Sequence, residues 1–254
     1  MNRVNGREPL IMKFLLKLSM FVLIMGLHPV MAGDANEADI KQLKAALAKI
    51  VPQSTDAVIT ATPIDGLYQV LVTGQVVYMT KDAKYLIDGD LMDMQSKVNL
   101  TESARGSIRT EALSQLGEKN MLVYKPKGEA KQTITVFTDI YCPYCRKLHD
   151  EMAEYMDNNV KVRYIFLPFK GKKSYDDSVS VWCAKDRNAA LDAAKSGEDI
   201  EQKTCDNPID KHKALATTLS IRGTPAIMFE DGQLTPGYIP ASKLIAKLKA
   251  EGKL

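Results

Sequence analysis

The sequence predicts an exported protein of mixed α+β and α/β class: a small N-terminal α+β unit, a linker helix, and a larger C-terminal α/β domain. Three observations predict it. The N-terminus is apolar and ends in small residues, one amphipathic helix and several short strands follow before about residue 96, and a strand-helix-strand pattern surrounds Cys142-Pro143-Tyr144-Cys145. A chain of 254 residues with 45% hydrophobic content is long enough for two cores.

Residues 1–32 read as a cleaved targeting segment. Lys13 and Lys17 supply positive charge, residues 14–27 are largely apolar, and Val30-Met31-Ala32 offers the small residues a signal peptidase selects. A membrane anchor is the competing reading. Lys17 interrupts the apolar stretch and Pro29 ends it short of the ~18 to 20 apolar residues a span needs, which favours cleavage. Met12 stands directly before this segment as a second candidate start. Without residues 1–32 the chain holds 30 basic and 30 acidic residues, so its net charge is near zero and no nucleic-acid partner is expected.

The N-terminal unit is expected over residues 33–96. Ile40, Leu43, Leu47 and Ile50 share one face of a helix over 34–50, closed by Pro52. Strands are expected at 57–61, 68–73, 76–80 and 84–88, with turns at 73–75 and 82–83. A linker over 97–118 carries helical spacing at 99–116, with Gly117 as its stop. Gly106 inside that helix costs up to about 1 kcal/mol relative to Ala and marks either a flexible point or nothing more.

The domain over 119–254 begins with strands at 121–124 and 133–138, then Cys-Pro-Tyr-Cys, a helix over 144–158 and a strand at 161–166. Residues 174–219 read as mostly helical, 226–229 and 233–236 as a hairpin, and 242–251 as a last helix with Ser242 its N-cap. Met92, Met94 and Met121 read as core filler, Trp182 as packing, and His149 as an exposed residue on the motif helix.

The chemistry lies in the cysteines. Cys142, Cys145, Cys183 and Cys205 make an even count, which in an oxidising compartment suggests two disulfides. At a helix start the first sulfur of Cys142-Pro143-Tyr144-Cys145 faces unpaired N–H groups and the positive end of the helix dipole, which favour its thiolate. Cys142 is therefore expected to attack and Cys145 to resolve. Pro143 suits the first helical turn, where its missing N–H is not needed.

A zinc site is poorly supported, since Cys183 and Cys205 are 22 positions apart and only His149 and His212 follow the targeting segment. Haem attachment would need His where Arg146 stands. No metal or cofactor is expected. A bridge between Cys183 and Cys205 would close a loop of roughly 20 residues, worth about 3 kcal/mol. A structural staple and a second redox relay are both open for that pair. Pro225 reads, from its residues alone, as the first residue of an edge strand.

The segment 137–149 (FTDIYCPYCRKLH) resembles the active-site segment of the DsbC/DsbG family of bacterial periplasmic protein disulfide isomerases, within the thioredoxin superfamily. Trp182-Cys183-Ala184-Lys185-Asp186, Thr204-Cys205-Asp206, Gly223-Thr224-Pro225-Ala226 and Pro236-Gly237-Tyr238 match the family in order and spacing. The resemblance implies a cystatin-like N-terminal dimerisation domain, a linker helix, and a thioredoxin-like catalytic domain with a helical insertion. It also implies a homodimer whose cleft holds unfolded or misoxidised exported proteins, a DsbD-type membrane reductant, and a periplasmic location. Cys183 would pair with Cys205, and Thr224-Pro225 would form a cis-proline loop that binds substrate beside Pro143 and Tyr144. The implied activity is isomerisation and reduction of incorrect disulfides. Pro143, where a familiar member has Gly, keeps a DsbA-like dithiol oxidase as an alternative, beside a holdase chaperone that uses the cleft.

Overall fold

A computed structural model describes residues 36–254 except Gln53. The expected signal segment lies outside the described residues. Among them, no helix is long and apolar enough to cross a membrane.

Helix α1 (Glu37–Ile50) starts where the Asn36 side chain accepts the Ala38 N–H, and it buries Leu43 and Leu47. These residues cover one face of an antiparallel sheet ordered β1-β2-β3-β4: β1 (Val58–Ala61), β2 (Leu67–Val72), β3 (Gln75–Thr80) and β4 (Leu86–Ile87). The β2-β3 turn places Thr73 and Gly74 both at positive φ, 50° and 75°, which matches the twist of the strands it joins. Leu43, Leu47, Ile59, Val70 and Met79 form the core of this unit.

A small hairpin follows that the sequence pattern did not foretell: β5 (Met92–Asp93) and β6 (Val98–Asn99). Two-residue strands are too short to display alternation, so they leave no periodic mark. Of the three methionines read as core filler, Met121 is buried, but Met92 is half exposed and Met94 is 83% exposed.

Helix α2 (Leu100–Leu116) is capped by Asn99, whose side chain accepts the Glu102 N–H at 2.8 Å, and it ends at Gly117. Gly106 is not a free flexing point. It packs backbone to backbone on the turn at Asp231-Gly232: a Cβ on Gly106 would stand 2.6 Å from the Asp231 carbonyl oxygen, and one on Gly232 would stand 2.1 Å from that of Gly106. Arg109 Nη1 reinforces the contact by donating to the Gly232 carbonyl at 3.1 Å.

The second sheet has the order β11-β10-β8-β9-β7, with β8 and β9 parallel and the other neighbours antiparallel. Its strands are β7 (Leu122–Tyr124), β8 (Gln132–Thr138), β9 (Val160–Phe166), β10 (Ala226–Met228) and β11 (Leu234–Pro236). Every residue of β8 is buried, as a central strand covered on both faces requires.

The expected helix over 144–158 is two helices, α3 (Pro143–Asp150) and α4 (Met152–Asp157), broken at Glu151. Glu151 turns its carboxylate to accept the Tyr238 hydroxyl and the Ala241 N–H, so it opens the last helix, α8 (Ala241–Ala250), from outside. Ser242 is consequently not the N-cap; Pro240 occupies that position and has no side-chain oxygen to offer. The predominantly helical stretch resolves into α5 (Lys172–Trp182), α6 (Arg187–Ser196) and α7 (Ile209–Thr218).

Candidate active site

Strand β8 delivers the motif. Its last residue, Thr138, is followed by buried Asp139, whose carboxylate accepts the N–H of Tyr141 at 2.7 Å and of Lys170 at 2.9 Å. Those two bonds shape the loop that turns the chain into α3. Cys142 is the N-cap of that helix, with extended backbone angles, and Pro143 follows at the first helical position.

The two sulfurs are free and unequally placed. Cys142 is 6% exposed and Cys145, one turn into the helix, 1%. The Cys142 thiol points at the Thr224 carbonyl at 3.3 Å. Burial pushes the Cys142 thiol up, but hydrogen bonds from the Cys145 N–H, the Cys145 thiol, the Thr224 hydroxyl and the Tyr144 N–H outweigh it, and the net shift is downward. For Cys145 burial dominates and the thiol is raised, against the pull of the Lys195 ammonium and hydrogen bonds from the Asp139 N–H and the Thr138 and Thr224 hydroxyls.

Thr224-Pro225 is a cis peptide that lies directly across from Cys142. Pro225 is buried and its carbonyl accepts the Gly237 N–H at 2.8 Å, while Thr224 is partly exposed. Pro143 is exposed, and Tyr144 is 63% exposed and stacks on Tyr238 with ring centroids 6.3 Å apart. The structure thus brings Cys142, Cys145, Pro143, Tyr144, Thr224 and Pro225 to one site, with Pro143 and Tyr144 on its exposed side. Cys183 and Cys205 are joined elsewhere, at the end of α5 and in the segment before α7, with Cα atoms 5.7 Å apart.

Two residues behind the motif escape a reading of the sequence. His149 is buried, not exposed: Nδ1 meets the Tyr164 hydroxyl at 3.1 Å and Nε2 meets Asp192 Oδ1 at 2.9 Å. Burial, with the charge of Lys195, holds its pKa down. Lys195 is 2% exposed, and its Nζ donates to Thr138 Oγ1 at 2.7 Å and to the Asp139 carbonyl at 3.1 Å. One signal could have found it: Leu191, Ala194 and Lys195 share helical spacing, so Lys195 belongs to the buried face of α6. Among the described residues no three His, Cys, Asp or Glu side chains converge as a metal site would require.

Comparison with known proteins matches the chain to two kinds of domain. Residues 118–251 match the model of a thioredoxin-like domain, and residues 31–102 match that of the disulfide bond isomerase protein N-terminal domain. The chain is 38% identical over 233 residues to the thiol:disulfide interchange protein DsbC of Dickeya dadantii, covering 90% of this chain and 94% of that one. It is 41% identical over 224 residues to DsbC of Salmonella typhimurium, covering 86% and 90%. The corresponding protein of Escherichia coli is 38% identical over 212 residues, covering 82% and 86%. With a redox-capable cysteine pair at the start of a helix on a thioredoxin-like sheet, and likeness along nearly the whole chain, this protein belongs to the DsbC family of thiol:disulfide interchange proteins and is a disulfide oxidoreductase.

Proposed function

We propose that the protein isomerises, and where needed reduces, incorrect disulfides in exported proteins, with Cys142 as nucleophile and Cys145 as resolving thiol. The observation that carries this reading is the inequality of the two sulfurs: Cys142 stands at the helix start opposite Thr224-Pro225 with its thiol shifted down, and Cys145 lies a turn deeper with its thiol shifted up. The Cys142 thiolate attacks one sulfur of a substrate disulfide, forming a mixed disulfide as the substrate S–S bond breaks and a substrate thiolate leaves. A thiolate from a different cysteine of the substrate can then attack the substrate sulfur of the mixed disulfide, making a new pairing and releasing Cys142 as a thiolate with no net change of oxidation state. If instead Cys145 attacks the Cys142 sulfur, the substrate leaves reduced by two electrons and the enzyme holds a Cys142–Cys145 disulfide.

The active pair must start reduced, so a membrane reductant of the DsbD type is the proposed electron source and the periplasm the proposed location. Thr224, Pro225, Tyr144 and Pro143 form the proposed docking surface for the substrate strand. We divide the chain into a dimerisation domain over 33–96, a linker over 97–118 and a catalytic domain over 119–254. A homodimer is supported by strand β4, which is the edge of its sheet and leaves Tyr85, Leu86 and Ile87 exposed.

Refolding of a scrambled disulfide protein tests the reading. Cys142→Ala is expected to abolish acceleration, and Cys145→Ala to trap the enzyme on its substrate as a mixed disulfide. Undiminished refolding with Cys142→Ala would leave a holdase, and a pair found mostly oxidised in cells would leave an oxidase.

A further inference from the structure

Tyr144 lies between the two reactive cysteines and leaves 63% of its surface exposed. Helical spacing puts Tyr144, Lys147 and Glu151 on one side of α3, and that side meets Tyr238, in the loop between β11 and α8. The Tyr238 ring stacks on Tyr144 with centroids 6.3 Å apart and planes inclined at 24°. The Lys147 Nζ stands 5.0 Å from the centre of the Tyr238 ring, and the Tyr238 hydroxyl donates to Glu151 Oε1. The chain one residue earlier is tied as well, since the Gly237 N–H donates to the Pro225 carbonyl at 2.8 Å. Tyr238 is therefore anchored to the motif helix by its hydroxyl and to the cis-proline loop by its backbone, and it stays partly exposed.

We propose that Tyr144 and Tyr238 form a two-ring ledge that selects substrate disulfides whose cysteine has an aromatic neighbour in the sequence. The proposal deepens the reading of Cys142 as nucleophile and rests on it. A mixed disulfide limits where the substrate can lie. Across a disulfide the two Cα atoms stand no more than about 7 Å apart, and the next residue of the substrate is about 3.8 Å further on. Tyr144 is two residues from Cys142, so a side chain flanking the substrate cysteine comes within reach of its ring. The opposite side of Cys142 is closed by the Thr224 carbonyl. An aromatic side chain can extend the stack, because ring pairs favour offset faces with centroids about 4.5 to 7 Å apart, and Tyr144 and Tyr238 already show that spacing.

The neighbouring charges leave this choice to the rings. The Lys147 ammonium sits over the Tyr238 ring, and both oxygens of Glu151 are engaged, one by the Tyr238 hydroxyl and one by the Ala241 N–H. Because Tyr238 is held at both its hydroxyl and its backbone before any substrate arrives, docking against it costs little further side-chain freedom.

The test uses the full chain carrying Cys145→Ala, which holds the mixed disulfide, in its reduced form. Its substrates are symmetric disulfide dimers of three short peptides, with Phe, Ala or Glu on both sides of the single cysteine. Cys142 attacks one sulfur of the dimer and bonds to one peptide as the other leaves as a thiolate. Mass spectrometry of quenched samples gives the rate, at concentrations where it rises in proportion to peptide. The Phe peptide is expected to react roughly three- to tenfold faster than the Ala peptide. Adding Tyr144→Ala or Tyr238→Ala is expected to bring that ratio close to one, and Tyr238→Phe, which keeps the ring without its hydroxyl, to retain most of it. A merely structural loss would slow the three peptides alike and leave the ratio in place. Equal rates for Phe and Ala before either tyrosine is changed, or a ratio that neither alanine variant moves, overturn the ledge. A Glu peptide faster than the Phe peptide also overturns it, by making Lys147 the selecting group. Should Tyr238→Ala fail to fold, Tyr144→Ala, at an exposed side chain, decides alone. If no peptide joins Cys142 at all, the assignment of the nucleophile falls instead.

Discussion

Glu151 Oε2 accepts the backbone N–H of Ala241 at 2.8 Å, so the residue that breaks the motif helix also starts the last one. The first N–H groups of a helix have no partner within it, and α8 has a proline where a capping side chain would stand. Glu151→Ala is expected to destabilise the protein by about 1 to 2 kcal/mol, the usual cost of a lost cap. Urea unfolding checks this, and Glu151→Gln should recover part of the loss because its amide oxygen can still accept.

The Gly106–Gly232 approach yields a prediction whose sign is diagnostic. By helix propensity alone Gly106→Ala would stabilise α2 by up to about 1 kcal/mol. Its methyl group would meet the Asp231 carbonyl at 2.6 Å, and both partners are backbone. Overpacking of this kind costs about 1 to 3 kcal/mol, so net destabilisation is expected in a thermal or urea melt. A more stable Gly106→Ala protein would show that α2 does not sit tightly on the hairpin.

The Cys183–Cys205 bridge spans 22 positions. Replacing both cysteines by Ala is expected to lower stability by about 3 kcal/mol through the freed chain entropy of the unfolded state. If the bridge is a staple, the double variant should still reduce a small disulfide through Cys142 while it remains folded. Loss of that activity at temperatures well below the melt would make the second pair a relay.

His212 predicts acid sensitivity. Its ring is fully buried, Nδ1 receives the Phe166 N–H at 3.2 Å, and Nε2 faces the Asn120 carbonyl at 2.6 Å. Nε2 therefore carries the proton and Nδ1 has no room for a second one. Burial holds the pKa down to about 4 from 6.5. A base with a lowered folded pKa favours folding in its neutral form, so this contribution is complete above 6.5 and is lost progressively between 6.5 and about 4. The loss is on the order of 3 kcal/mol. Urea unfolding across that window, with the His212 ring followed by NMR, checks both the size and the residue.

The elements that sequence pattern placed well are those whose cause is local. Helix α2 has Asn99 before it and Gly117 after it, and β8 is a run of β-favouring residues directly ahead of the motif. Where a feature depends on a distant partner, the pattern misled. Residues 144–158 carry continuous helical character, yet the helix breaks at Glu151, the residue whose carboxylate is engaged by Tyr238 and Ala241. Ser242 has the chemistry of a cap, but Glu151 already supplies that oxygen one residue earlier. Met92 and Met94 look like core residues by type, yet the short hairpin that carries them holds them outward.

The reactive centre followed the same division. Cys142-Pro143-Tyr144-Cys145 could be read directly, because spacing, proline position and the strand-to-helix junction are contiguous in the chain, and a helix start acts on the sulfur at its own N-cap. Contiguity says nothing of what lies beneath. Thr224 comes from 82 residues away to meet Cys142, and Lys195 crosses 57 residues to reach Thr138. A lysine near the end of an alanine-rich helix looks like a solvated charge until α6 packs under the motif and removes water from it. Burial is a property of surfaces brought together by folding, and it sets the two thiols of the pair apart. Local chemistry named the pair; long-range packing made its two members unequal.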